Sequence, residues 1–145
     1  MRLLSIPATL LCAATVLTPV NATRAQAPEA RHVVALDFVK AKPGELPRLI
    51  RFFELNWAAA RATLVAQGAD IVGYRMLVSA DTASAWDVVL ETTYADSASY
   101  ARREQIFQPV LAAKGKVLVD GKDRSGLGDI IGSRVFAVRA AARAK

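Results

Sequence analysis

Apolar residues alternate with period two in four segments of this chain and recur every third or fourth position in two others. The first alternating segment is His32 to Lys40. Val34, Leu36 and Phe38 fall on one side, and Val33, Ala35, Asp37 and Val39 on the other, a pattern that predicts a strand. Lys42-Pro43-Gly44 is a turn signal. From Glu45 to Gln67 the apolar positions are Leu46, Leu49, Ile50, Phe53, Trp57, Ala60 and Leu64. Those spacings trace one face of a long helix, and Gly68 is placed to end it. Ile71 to Ser79 and Trp86 to Tyr94 alternate again across a polar turn, Asp81 to Ala85, and predict a hairpin. Asp96 or Ser97 should cap a second helix running to about Ala113, with Tyr100, the Arg103 stem, Ile106, Phe107, Val110 and Leu111 inward. Pro109 is expected to kink that helix or split it. Gly115 to Gly132 is less regular and holds a short edge segment, Val117-Leu118-Val119. Arg134 to Ala140 reads as the last strand, followed by a basic tail expected to fray.

The element order is β-α-β-β-α-β, the ferredoxin-like α+β layout, with antiparallel sheet order 4-1-3-2 and both helices on one face. The helix side is predicted to carry Val34/Leu36/Phe38, Val72/Tyr74/Met76, Val88/Leu90 and Phe136/Val138. The other side would then hold Val33/Ala35/Asp37/Val39, Ile71/Gly73/Arg75/Leu77, Asp87/Val89/Glu91/Thr93 and Val135/Ala137/Arg139. That second set is too apolar to face water, and the economical cover is the same face of a second copy. A homodimer is expected.

The N-terminus changes the domain count. Arg2 precedes an apolar run from Leu3 to Val20, and Ala25-Gln26-Ala27 has the form of a cleavage site. Residues 1–27 are therefore expected to be a cleaved signal peptide, leaving one domain over residues 28–145 that is periplasmic or secreted. Pro7, Thr9, Thr15, Thr18 and Pro19 interrupt the run and argue against a transmembrane helix. Cys12 follows Leu11, where a lipoprotein anchor needs a small residue, so no membrane anchor is expected after cleavage. Cleavage removes the only cysteine, and with it any disulfide, thiolate nucleophile or thiolate metal ligand. It also removes Arg2 and Arg24, two of the net +6 charges. The mild positive charge that remains is ordinary for an exported domain.

The strand Trp86-Asp87-Val88-Val89-Leu90-Glu91-Thr92-Thr93-Tyr94, leading into Asp96-Ser97-Ala98-Ser99-Tyr100, and the long first helix give the chain a resemblance to a known superfamily. It resembles the dimeric α+β barrels, which include the antibiotic-biosynthesis-monooxygenase-like, EthD-like and NIPSNAP-like proteins, the muconolactone isomerases and the haem-degrading monooxygenases. The resemblance covers nearly all of residues 28–145. It implies sheet-to-sheet pairing of two subunits and a ligand site between each sheet and its helices, or in the barrel interior. It does not imply one chemistry, because these families differ in function.

Among candidate catalytic residues, the charged set on the uncovered face comes first. In the 4-1-3-2 order Arg139 neighbours Asp37, Asp37 neighbours Glu91, and Glu91 neighbours Arg75. Such a set could be an acid/base pair or an arginine clamp for an anionic substrate. The plainer reading, and the favoured one, is a structural ion-pair network stitching the barrel. His32, the only histidine, is a candidate base at the edge of the first strand. Haem-degrading relatives use a histidine on the second helix, and this chain has none there. Tyr74, Trp86, Tyr94, Tyr100 and Asn56 are candidate lining for a cavity holding a flat hydrophobic molecule, against the plainer reading that the rings are core. Gly126-Leu127-Gly128 lacks the strand-turn-helix context of a phosphate loop. No metal cluster, cofactor motif or nucleic-acid stacking platform is evident. The expected function is small-molecule binding, hydrophobic or anionic, with cofactor-independent monooxygenase- or isomerase-like chemistry in view. A dimer without turnover is the alternative.

Overall fold

The computed structural model describes residues 32–138. Four strands, β1 (Val33–Ala41), β2 (Ile71–Val78), β3 (Val88–Tyr94) and β4 (Gly128–Ala137), form one antiparallel sheet in the order β2-β3-β1-β4. This is the predicted ferredoxin-like order. The first helical segment is α1 (Leu46–Phe53), one π-helical turn (Glu54–Ala58) and α2 (Ala59–Ala66). The second is α3 (Ser97–Ala101) and α4 (Arg103–Lys114), and a single turn, α5 (Arg124–Leu127), precedes β4.

The periodicity of the first helix translates directly into burial. Leu49, Phe53, Ala60 and Leu64 are buried, and Leu46, Ile50 and Trp57 pack against them. The core divides in two along the sheet. Val39, Val88 and Leu90 meet Leu49, Phe52 and Phe53 at one end. Val33, Ile71 and Tyr94 meet Ala60, Leu64 and Val110 at the other. Asp96 caps α3 by accepting the Ser99 N–H at 2.7 Å, and that bond holds its carboxyl below the usual range.

Several expectations are corrected. The second helical segment breaks at Arg102 and not at Pro109, which lies inside continuous α4. The carbonyl that Pro109 leaves without a donor belongs to exposed Gln105, where water can serve it. The last strand begins at Gly128, six residues before the predicted start at Arg134, because a register shift opposite Phe38/Val39 hides its alternation. A second shift between Ile71 and Gly73 turns Ile71 into the core and leaves Val72 exposed.

The main correction concerns the faces of β1 and β4. Val33, Ala35 and Val39 face the helices, whereas Val34, Leu36 and Phe38 face away. Asp37 pairs with Leu90 and Ser133, so it belongs to the helix side. Both faces of β1 are apolar, and alternation alone cannot say which one the helices cover. Val135 and Ala137 follow Ala35 and Val33 onto the helix side, and Phe136 faces away.

The turn before α5 ties the C-terminal half to the first helix. Asp120 and Gly121 both have positive φ (49° and 74°) between Val119 and Lys122, which bridge each other. Arg48 donates to Asp120 at 2.6 Å and Lys122 to Glu45 at 2.8 Å. Deeper in, the Asn56 amide accepts the Val117 N–H at 2.8 Å and donates to the Val117 and Phe52 carbonyls, each at 2.9 Å. Asn56 therefore fastens the 115–119 connection to the π-helical turn.

Candidate site between sheet and helices

A cavity of about 520 Å³ lies between the β1–β4 half of the sheet and the two helical segments. Its floor is Ala35, Asp37 and Thr92 with Ser133 and Val135 of β4, and its walls include Arg61, Tyr94, Tyr100, Arg103 and Phe107. Asp37, far from marking an open face, stands inside this cavity. Its carboxylate accepts the Ser133 hydroxyl at 2.5 Å.

Arg61 comes from α2, one helical turn after Trp57 and one before Leu64, on the apolar stripe itself. Its Nε donates to the buried Thr92 hydroxyl at 2.7 Å, and Nη1 donates to the Trp57 carbonyl at 3.2 Å. The guanidinium lies 4.0 Å from the Trp57 ring centroid and 4.6 Å from that of Phe107, a cation–π arrangement. Among the described residues no carboxylate pairs with it. Burial pulls its pKa well below the ordinary guanidinium value, to about 10, against the longer-range attraction of Tyr94, Asp37 and Tyr74. It is still a cation at neutral pH. The same enclosure raises the Tyr94 hydroxyl, with Arg61 and Arg103 partly opposing the shift.

The other cations at the cavity are differently engaged. Arg103 stacks over Tyr100 at 4.6 Å, donates to the Tyr100 carbonyl at 3.3 Å and reaches Glu104 at 3.9 Å. Arg134 is exposed and donates to the Ser133 carbonyl at 2.8 Å. Tyr94 and Tyr100 meet edge to face with centroids 5.4 Å apart.

The predicted set of four charges is not one cluster. Arg75 and Glu91 pair across β2 and β3 on the face away from the helices, with Nε–Oε1 and Nη2–Oε2 distances of 3.0 and 2.7 Å. Asp37 is on the opposite face of the sheet from both, so the expected contact between Asp37 and Glu91 is absent. Arg139 lies outside the described residues. His32 is exposed and its Nδ1 sits 3.1 Å from the Ala95 carbonyl, away from the cavity lining.

Of the five candidate lining residues, Tyr94 and Tyr100 border the cavity. Tyr74 packs edge to face on Trp57 at 5.8 Å and is not part of the lining. Trp86 precedes β3 rather than belonging to it, and its ring lies 5.0 Å from that of Phe38 on the other side of the sheet. Asn56 is engaged with backbone. Arg61, Thr92, Ser133 and Phe107 are among the lining residues that sequence reasoning missed. The one readable signal was Arg61, a permanent charge within the apolar stripe of the first helix. Among the described residues no group of acids and histidines could hold a metal ion, and no helix is long and apolar enough to cross a membrane.

The comparisons with known proteins agree with this geometry at the level of fold. HapK from Hahella chejuensis superposes with a TM-score of 0.50 at 10% identity, over 78% of this chain and 98% of that one. A dimeric protein of unknown function and ferredoxin-like fold from Bacteroides fragilis gives 0.50 at 12%, over 77% and 98%. A dimeric ferredoxin-like protein from an uncultured marine organism gives 0.51 at 12%, over 81% and 95%. No protein-family model matches the chain, and no curated protein shows significant similarity to it. The chain thus has a ferredoxin-like fold. At these identities the likeness extends to fold and not to activity.

Proposed function

We propose that this protein binds a small aromatic molecule in the cavity between sheet and helices. The observation that carries the reading is the cavity itself. About 520 Å³ is bounded by the rings of Tyr94, Tyr100 and Phe107 together with Asp37, Ser133, Arg61 and other polar side chains, and a concave space where rings and polar groups converge suits a compact ligand. Asp37 also supports an enzymatic reading. A carboxylate at the cavity floor could accept a proton from an acidic C–H or O–H of the ligand, the opening step of cofactor-independent oxygenase or isomerase chemistry.

The working unit in this proposal is a homodimer. Leu36, Phe38, Leu77, Trp86 and Phe136 lie on the side of the sheet that the helices leave bare, and Leu77, Trp86 and Phe136 are 46%, 39% and 51% exposed. A patch of that kind favours a partner, and the Bacteroides fragilis and marine relatives are described as dimeric. The dimer would act in the periplasm or outside the cell, after residues 1–27 are removed as a signal peptide.

Mass spectrometry of the protein isolated under native conditions tests the ligand reading. A small aromatic molecule should accompany the wild type and be lost from Ala35→Leu, whose longer side chain enters the cavity. Recovery of no such molecule, or of equal amounts from both proteins, refutes it.

A further inference from the structure

We infer that the ligand of this cavity is an aromatic anion, a carboxylate or phenolate, and that Arg61 holds its negative oxygen. The inference rests on the cavity reading above and adds the ligand's charge and the residue that selects it. It starts from an imbalance in the chain's own charges. A guanidinium has five N–H donors in a planar fork, and Arg61 commits one Nε–H to Thr92 and one Nη1–H to Trp57. The remaining N–H groups have no protein acceptor among the described residues, and no carboxylate reaches ion-pair distance. A cation drawn out of water normally meets an anion there, because its hydration is otherwise lost without return.

The surroundings make these donors specific. Trp57 and Phe107 lie against the guanidinium, so the fork is held in place and little rotamer freedom remains to be lost on binding. Thr92 and the Trp57 carbonyl fix its orientation from below. The rings that border the rest of the space, Tyr94, Tyr100 and Phe107, suit the flat body of an aromatic ligand. The other charged groups at the cavity do not compete for the role. Arg103 is engaged with Tyr100 and Glu104, Arg134 is exposed, and Asp37 and Glu104 would repel an anion placed beside them. Asp37 sets the ligand's polarity: the anionic end belongs at Arg61, and a hydroxyl or other donor belongs at the floor near Asp37 and Ser133.

Isothermal titration of the purified protein with 1-naphthoate and with 1-naphthamide, its uncharged counterpart, tests this. The wild type should bind naphthoate about 10- to 100-fold more tightly than naphthamide, the range expected for a charge-assisted hydrogen-bonded contact. Arg61→Met keeps the apolar stem between the rings and should abolish that preference while leaving naphthamide affinity within about threefold. Arg61→Lys, which retains charge without the fork, should restore part of the preference. Equal wild-type affinities for the two compounds overturn the anion assignment and leave the cavity reading standing. So does a preference that survives in Arg61→Met, provided its circular dichroism matches wild type. If neither compound binds the wild type, both readings fall.

Discussion

Replacing Gly128 by alanine should destabilise this protein by about 2 kcal/mol, the middle of the usual range for forcing an extra methyl into a packed core. The magnitude follows from three contacts. A Cβ built on Gly128 would sit 2.7 Å from the Lys40 carbonyl oxygen, 2.8 Å from Leu49 Cδ2 and 3.2 Å from Ala41 Cα. Ordinary contacts of this kind begin near 3.4 Å. Two of the three atoms are backbone of β1, held in the ladder that pairs Ala41 with Gly128. The third belongs to Leu49, which is fully buried between β1 and α1. Neither neighbour can yield without shifting the strand or losing a rotamer. The backbone at Gly128 is extended, so the cost is steric and owes nothing to glycine's dihedral freedom. Urea denaturation reads the effect: with a slope of about 2 kcal/mol per molar, the midpoint should fall by about 1 M. Gly132→Ala serves as control, since nothing lies within 4 Å of a Cβ there, and its midpoint should move by less than about 0.3 M. Equal midpoints for Gly128→Ala and wild type would refute the close approach of β4 to β1.

Two further outcomes are expected. Leu77→Arg, placed on the bare face opposite Val89, should shift the protein to the mass of one subunit in analytical ultracentrifugation, and an unchanged sedimentation mass would sink the proposed sheet-to-sheet dimer. Asp87 accepts the Ala41 N–H at 2.8 Å and pairs with Lys40 at 3.0 Å, and these contacts, the backbone bond foremost, hold its carboxyl below 3.8. Its stabilising contribution is therefore complete above the unfolded carboxyl's pKa and is lost as pH falls through the lower folded value. The difference in urea midpoint between wild type and Asp87→Asn should hold steady above about pH 5 and shrink progressively as the pH is lowered below it; a difference that does not change with pH would contradict it.

Element order, sheet order and the buried stripe of the first helix were legible because each rests on a period repeated over many residues. Leu49, Phe53, Ala60 and Leu64 could only be a helix's inner face, and the split βαβ order left few ways to arrange four strands. The site was less legible, and β1 explains why. Its two faces, Val33/Ala35/Val39 and Val34/Leu36/Phe38, are almost equally apolar, so hydropathy gives no reason to prefer either as the core side. The lone charge, Asp37, pulled the assignment the wrong way, because a carboxylate in mid-strand ordinarily points to water. Here the helices splay from the sheet far enough to leave a cavity over Asp37, and the Ser133 hydroxyl satisfies it there. The two register shifts compound the ambiguity, since each changes which side of the sheet the following residues occupy.

Arg61 teaches the complementary lesson. A charge on the inner stripe of an amphipathic helix conflicts with the local pattern in the same way as Asp37 does on β1, and the two conflicts meet at one cavity. Either departure alone has an ordinary explanation: a snorkelling stem for the arginine, a solvated face for the aspartate. Their convergence does not, because a sequence free to choose would fill that space with aliphatic side chains and gain stability. The polar groups retained between these rings are therefore the part of the fold most plainly shaped by something other than folding. They are where a ligand's chemistry should first be sought.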